Sequence, residues 1–169
     1  MPDNQVDPKL MSAIHHVVHD YANFASSARM RRTGKDSCGN ALLPPVNTHV
    51  GHAFYLNCRK IADFLQNKNS RENDDVLAEH YVPGFKACLP TNDKLRGALN
   101  KQLAHVTYAR ISGPHDIQPA ECEQMEDEIR SEWRRFLREL KKLNQGYADE
   151  FERNLTERKD SEFGHCDLD

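Results

Sequence analysis

No apolar run in the chain approaches the roughly 20 residues that span a bilayer. The first residues, Met1 to Pro8, also lack the basic-then-apolar order of a signal peptide. A soluble, cytoplasmic protein without a membrane partner is the expectation. Glycine and proline are scarce, eight of each in 169 residues, too few for a loop-rich β-sandwich or a disordered chain. Runs of alternating β-type residues are missing too. The five cysteines (Cys38, Cys58, Cys88, Cys122, Cys166) are odd in number, widely spaced and without a C-x-x-C pair, so neither a disulfide framework nor a zinc knuckle is indicated. The loops G-x-x-x-x-G-K-[ST] and G-x-G-x-x-G do not occur, nor do G-x-S-x-G and H-E-x-x-H. The usual nucleotide loops, the hydrolase elbow and the helical zinc-protease motif are thereby excluded.

What the chain does have is helical periodicity at a length suited to a single domain. Asp7-Pro8 is a cap followed by Pro at the first helical position, and Leu10, Ile14, Val17, Tyr21, Phe24 and Ala28 then recur at steps of three and four. A helix over about 8–30 follows, then a loop from Arg31 to Pro45 rich in Gly, Asn and Pro. Val50, Phe54, Cys58, Ile61 and Leu65 mark a second helix that starts near Asn47 or Thr48 and ends at the Asn67–Asn73 cluster. Asp74-Asp75 can cap a short helix over 76–81, and Thr91 can cap one carrying Leu95, Leu99, Leu103 and Val106 that ends around Ile111 to Pro114. Gln118-Pro119 opens the last helix, with Cys122, Met125, Ile129, Trp133, Phe136, Leu140 and Leu143 on its apolar face. Tyr147, Phe151 and Leu155 continue that stripe in phase, which predicts one long C-terminal helix running on through Gly146 to about Glu157. Its projecting apolar end would call for a second copy of the chain. The predicted architecture is all-α, an up-and-down bundle of four main helices plus one short one, in one domain over 1–169 with tails at 1–7 and 159–169.

Charge is uneven. The first 118 residues hold 14 Lys/Arg against 11 Asp/Glu, and residues 119–163 hold 9 against 13. Arg29, Arg31, Arg32 and Lys35 form the densest basic patch, at a predicted helix C-terminus. Such a patch can hold phosphate oxygens, and it is equally what the helix dipole favours unaided. Histidine is abundant, with nine copies. His15, His16 and His19, and His49 with His52, sit at the spacing that bundle metal sites use, but on a helical wheel His15, His19, His49 and His52 point away from the apolar stripes, and no Glu-x-x-His motif is present. No metal or cofactor is expected. On the second helix, His52, Arg59 and Asp63 share a polar face, with Asp74 or Asp75 as a partner across space. They read either as a carboxylate-oriented histidine beside a cation or as a solvated face with an Arg59–Asp63 pair.

In Leu99-Asn100-Lys101-Gln102-Leu103-Ala104-His105-Val106-Thr107-Tyr108-Ala109-Arg110, Lys101, His105 and Tyr108 fall on one helix face. A half-buried histidine between a cation and a phenol can exchange a proton near neutral pH, or hydrogen-bond across a helix interface. This segment resembles the motif-bearing helix of HEPN proteins, all-α bundles in which an Arg precedes a His by four to six residues. In that family the pair meets its copy across a dimer interface and cleaves RNA without a metal, although many members have lost the pair and bind partners instead. Here Arg96 precedes His105 with eight residues between, Lys101 is the nearer cation and Arg110 follows. The resemblance implies His105 as the proton-transfer group, with Lys101, Arg96 or Arg110 holding phosphate and Tyr108 beside them. It implies a homodimer that binds or cleaves RNA. A non-enzymatic dimeric interaction module is the alternative, and a histidine-based metal-binding bundle a third.

Overall fold

A computed structural model describes residues 6–44, 46–68, 75–104 and 117–161, the side chains of 47, 99–104 and 159–161 excepted. These residues are mostly helical, and among them the only β-type pairing is an isolated bridge between Lys35 and Ala41. The helices are α1 (Pro8–Thr33), α2 (Val46–Leu65), α3 (Ala78–Tyr81), α4 (Pro90–Ala104), α5 (Pro119–Leu143) and α6 (Gln145–Ser161). No helix among the described residues is long and apolar enough to cross a membrane.

Local chemistry sets the helix ends. At α1, the Asp7 carboxylate accepts the Lys9 N–H at 2.8 Å, with Pro8 next to it. Gly34 stops the helix in the left-handed region at φ 64°, its N–H donating to Met30 O at 2.9 Å. The expected tail at 1–7 is thus tied down at its inner end, where the Asp7 N–H also donates to the Tyr147 hydroxyl at 2.8 Å. At α2, Asn67 takes the left-handed position (φ 57°) and two bonds close the end: Asn67 N–H to Phe64 O and Lys68 N–H to Asp63 O.

Two caps differ from the sequence reading. Asp75 precedes α3 without capping it. The Leu77 N–H instead goes to His80 Nδ1 at 3.2 Å and the Glu79 N–H to Asn67 Oδ1 at 2.9 Å. Thr91 lies inside the first turn of α4, and both its N–H (3.1 Å) and its hydroxyl (2.6 Å) donate to Glu128 on α5. A carboxylate from a neighbouring helix thus does the work expected of Thr91.

Most described positions of the predicted stripes are buried, whereas Leu143 is exposed and the side chains of Leu99, Leu103 and Val106 lie outside the described part. Ile14, Val18, Tyr21, Phe24, Phe54, Ile61, Leu65, Trp133, Phe136 and Phe151 form one core. Trp133 stacks on Tyr21, with centroids 4.1 Å apart and planes 7° off parallel, and Phe136 meets Phe64, Tyr81, Phe85 and Phe151 edge to face.

The long C-terminal helix is not continuous. At Asn144 the backbone is extended (φ −148°, ψ 97°) and its Oδ1 accepts the Tyr147 N–H at 3.2 Å, so one residue ends α5 and caps α6. The chain turns there, and α6 packs back on α1 and α5. Tyr147 and Phe151 are buried in their own chain. Leu155 is partly buried against the same core, so the stripe that called for a second copy is largely covered by its own chain and gives no reason for a dimer.

Candidate functional site

A cleft of about 510 Å³ opens between α1, α2, the segment before α3 and the first half of α4. Helical spacing decides what reaches it. His16 and Asp20 are one turn apart on α1, and Arg59, Lys60 and Asp63 share a turn of α2. The Asn67 cap turns Lys68 onto the same wall, and Arg96 comes from α4. Val17, Ile61, Phe64 and Leu77 supply an apolar lining.

The two lysines of the cleft each have an acid of their own. Lys60 Nζ lies 2.8 Å from Asp20, and Lys68 Nζ lies 2.8 Å from Asp93 and 2.6 Å from Gln66 Oε1. The Lys68 bond, then those of Gln66 and the nearby Arg96 charge, hold the Asp93 carboxyl below its ordinary range. Asp63, by contrast, serves two arginines: Arg59 Nε at 3.6 Å along α2, and Arg96 Nη1 at 2.7 Å from α4. The Arg96 contact misses the angles of a hydrogen bond. Arg96 Nη1 and Asp63 Oδ1 are both buried atoms without a hydrogen-bond partner, an arrangement with an energetic cost.

Of the candidates read from the sequence, Arg96 enters this cleft. Lys101 lies in the last turn of α4, its side chain outside the described part, and His105, Tyr108 and Arg110 lie outside the described residues altogether. The Arg59–Asp63 pair forms as the solvated-face reading has it. His52 does not join it, since eleven residues of unbroken helix separate it from Asp63 by about 16 Å. The residue that does reach the cleft from a histidine cluster is His16. His15 and His49 are exposed, and among the described residues no group of three His, Cys, Asp or Glu side chains could hold a metal ion.

The basic patch at 29–35 turns inward in part, with Arg31 largely enclosed and Arg32 and Lys35 exposed. Glu126, 2% exposed, receives Arg32 at 3.2 Å, Arg130 at 3.0 Å and Arg31 at 3.9 Å. Arg31 also lies over the Phe54 ring at 4.8 Å. Two of the patch's four cations are thus committed to a carboxylate 94 or more residues away, so the dipole explanation is incomplete and the phosphate explanation loses half its charge. Sequence reasoning did not reach this partner, because the Arg31 and Arg32 that meet Glu126 lie 94 or more residues away and no local pattern joins them.

The described residues are mostly helical and include a charged, partly apolar cleft in which two arginines from different helices converge on one acid. Comparison with family models, with curated proteins and with solved structures found no match.

Proposed function

We propose that the protein is a HEPN-like up-and-down bundle that binds RNA, and cleaves it without a metal, with this cleft holding RNA phosphate and His105 as the proton-transfer group. The observation that carries the reading is the convergence of Arg96 and Arg59 on a single anion, Asp63, at the wall of a cleft large enough for a small ligand. Two guanidinium groups from separate helices offer a phosphate the planar donors it prefers.

In this division of labour the cleft arginines hold phosphate and His105 moves the proton. Arg96, with Arg59, grips the backbone beside the reacting group and is a positioning residue. In this reading His105 takes the proton of a ribose 2′-hydroxyl as its oxygen attacks the adjacent phosphorus. The phosphorus–5′-oxygen bond breaks to leave a 2′,3′-cyclic phosphate, the 5′-oxygen takes a proton from water, and Lys101 or Arg110 steadies the charge on the equatorial oxygens. A two-copy arrangement would use a face other than Tyr147, Phe151 and Leu155.

The test is incubation of single-stranded RNA with the protein in chelator between pH 5 and 8. Cleavage by the natural chain and none by His105→Ala, at unchanged RNA affinity, is the expected result. Binding without cleavage leaves an RNA-binding module, and neither binding nor cleavage overturns the reading in favour of a protein-interaction module.

A further inference from the structure

We propose that Asp63 is a resident counter-anion, and that the Arg59–Arg96 pair is a phosphate site that Asp63 occupies until a phosphate group displaces it. The proposal rests on the reading of this cleft as a phosphate-binding surface and adds how the site is kept closed.

Arg59 and Asp63 alone would be an ordinary pair at helical spacing, held at 3.6 Å on the surface of α2. Arg96 changes that, because it arrives from another helix and approaches the same carboxylate to 2.7 Å. One carboxylate is thus shared between two guanidinium groups from different helices, and its displacement would leave both facing the cleft, where Asp20 and Asp75 are the other acids. The fit is also poor. A carboxylate matched to an arginine fork accepts two parallel N–H bonds, whereas here Arg96 Nη1 donates to nothing and Asp63 Oδ1 accepts nothing, though both are shut off from water. The unused hydrogen-bonding capacity therefore sits at this one contact on the cleft wall. Lys60 and Lys68 offer no comparable opening, since each already bonds well to Asp20 or to Asp93 and Gln66. A phosphate has more oxygens than a carboxylate and a tetrahedral spread, so it can meet donors from α2 and α4 together. The apolar side chains of Ile61, Phe64 and Leu77 nearby lower the local dielectric and strengthen such a contact.

The experiment measures binding of inorganic phosphate, and separately of a single-stranded oligoribonucleotide, to the full chain and to Asp63→Asn, which keeps the side chain's shape. Removing the resident charge should tighten phosphate binding by about tenfold or more, and adding Arg96→Gln should abolish the gain. Phosphate affinity unchanged or weakened in Asp63→Asn overturns the proposal. If both ligands bind and neither responds to Asp63→Asn, the counter-anion falls and the RNA reading stands. If phosphate binding tightens and the oligoribonucleotide does not bind at all, the site stands and the RNA reading falls. Should Asp63→Asn fail to fold, Arg59→Gln combined with Arg96→Gln tests the same site: phosphate should raise the melting temperature of the natural chain and not of this variant, and equal rises overturn the proposal.

Discussion

Glu126→Ala should be among the most damaging single changes to a charged residue in this protein. The carboxylate is 3% exposed as a side chain, and two of its arginines are nearly as enclosed, Arg130 at 11% and Arg31 at 17%. Removing it leaves two guanidinium groups in a low-dielectric setting without their counter-charge, a change that costs about 3–5 kcal/mol in buried pairs. Arg32 is 54% exposed and adds little. The slivers of exposure on Arg31 and Arg130, and the ring faces of Phe54 and Phe24 beneath them, place the expected loss at the lower end, about 3 kcal/mol. For a chain of this size that lowers the melting temperature by about 6–12 °C. Glu126→Gln, which keeps an acceptor for Arg130 Nε, should lose less. Scanning calorimetry or urea denaturation of the three proteins at one salt concentration decides it. A loss below about 1 kcal/mol for Glu126→Ala, the size of an exposed pair, would refute the claim that this cluster is internal.

Two further outcomes follow from the core. Phe151→Asp places a carboxylate at a fully buried position in edge contact with Tyr81, Trp133 and Phe136, so it should unfold the chain or cost about 4 kcal/mol or more. A folded variant of unchanged melting temperature that merely dissociates in sedimentation would instead restore the subunit-interface role that periodicity suggested. Burial pushes the phenols of Tyr21, Tyr55 and Tyr81 above their ordinary value of 10.0, so the folded state favours their neutral form. The stability this contributes is complete below pH 10 and is lost as pH rises through the raised values. Tyrosinate absorbance should therefore rise cooperatively with loss of the helical circular dichroism signal in alkali, and ionisation of all tyrosines near pH 10 with the helices intact would contradict the burial.

The main helices were legible because their stripes are long and their starts carry Pro8 and Pro119, positions where the missing N–H costs nothing. The break at Asn144 was not, because periodicity records phase and not direction. Tyr147 and Phe151 keep step with Leu140 across a residue whose extended backbone turns the chain back on itself. Within the cleft, the Arg59–Asp63 pair was readable from its spacing of four. Arg96 was singled out for its neighbourhood to His105, yet what it touches is Asp63, a contact between helices that no local pattern encodes. His16 was visible as one of a cluster, and it is the packing of α1 against α2 that selects it over His15 for the cleft. Glu126 was hidden for a similar reason: besides Arg130 on its own helix, it meets Arg31 and Arg32, which lie across the fold on α1.

The measurement closest to the central claim is the salt dependence of single-stranded RNA binding in chelator, compared between the natural chain and Arg96→Gln. If Arg96 grips a backbone phosphate, the natural chain should bind with an affinity that falls linearly on a log–log plot against salt. Arg96→Gln should bind more weakly across RNA sequences, with a slope shallower by about 0.7, the value of one single-strand phosphate contact. Identical slopes for the two proteins, or no RNA binding by the natural chain at low salt, would contradict it.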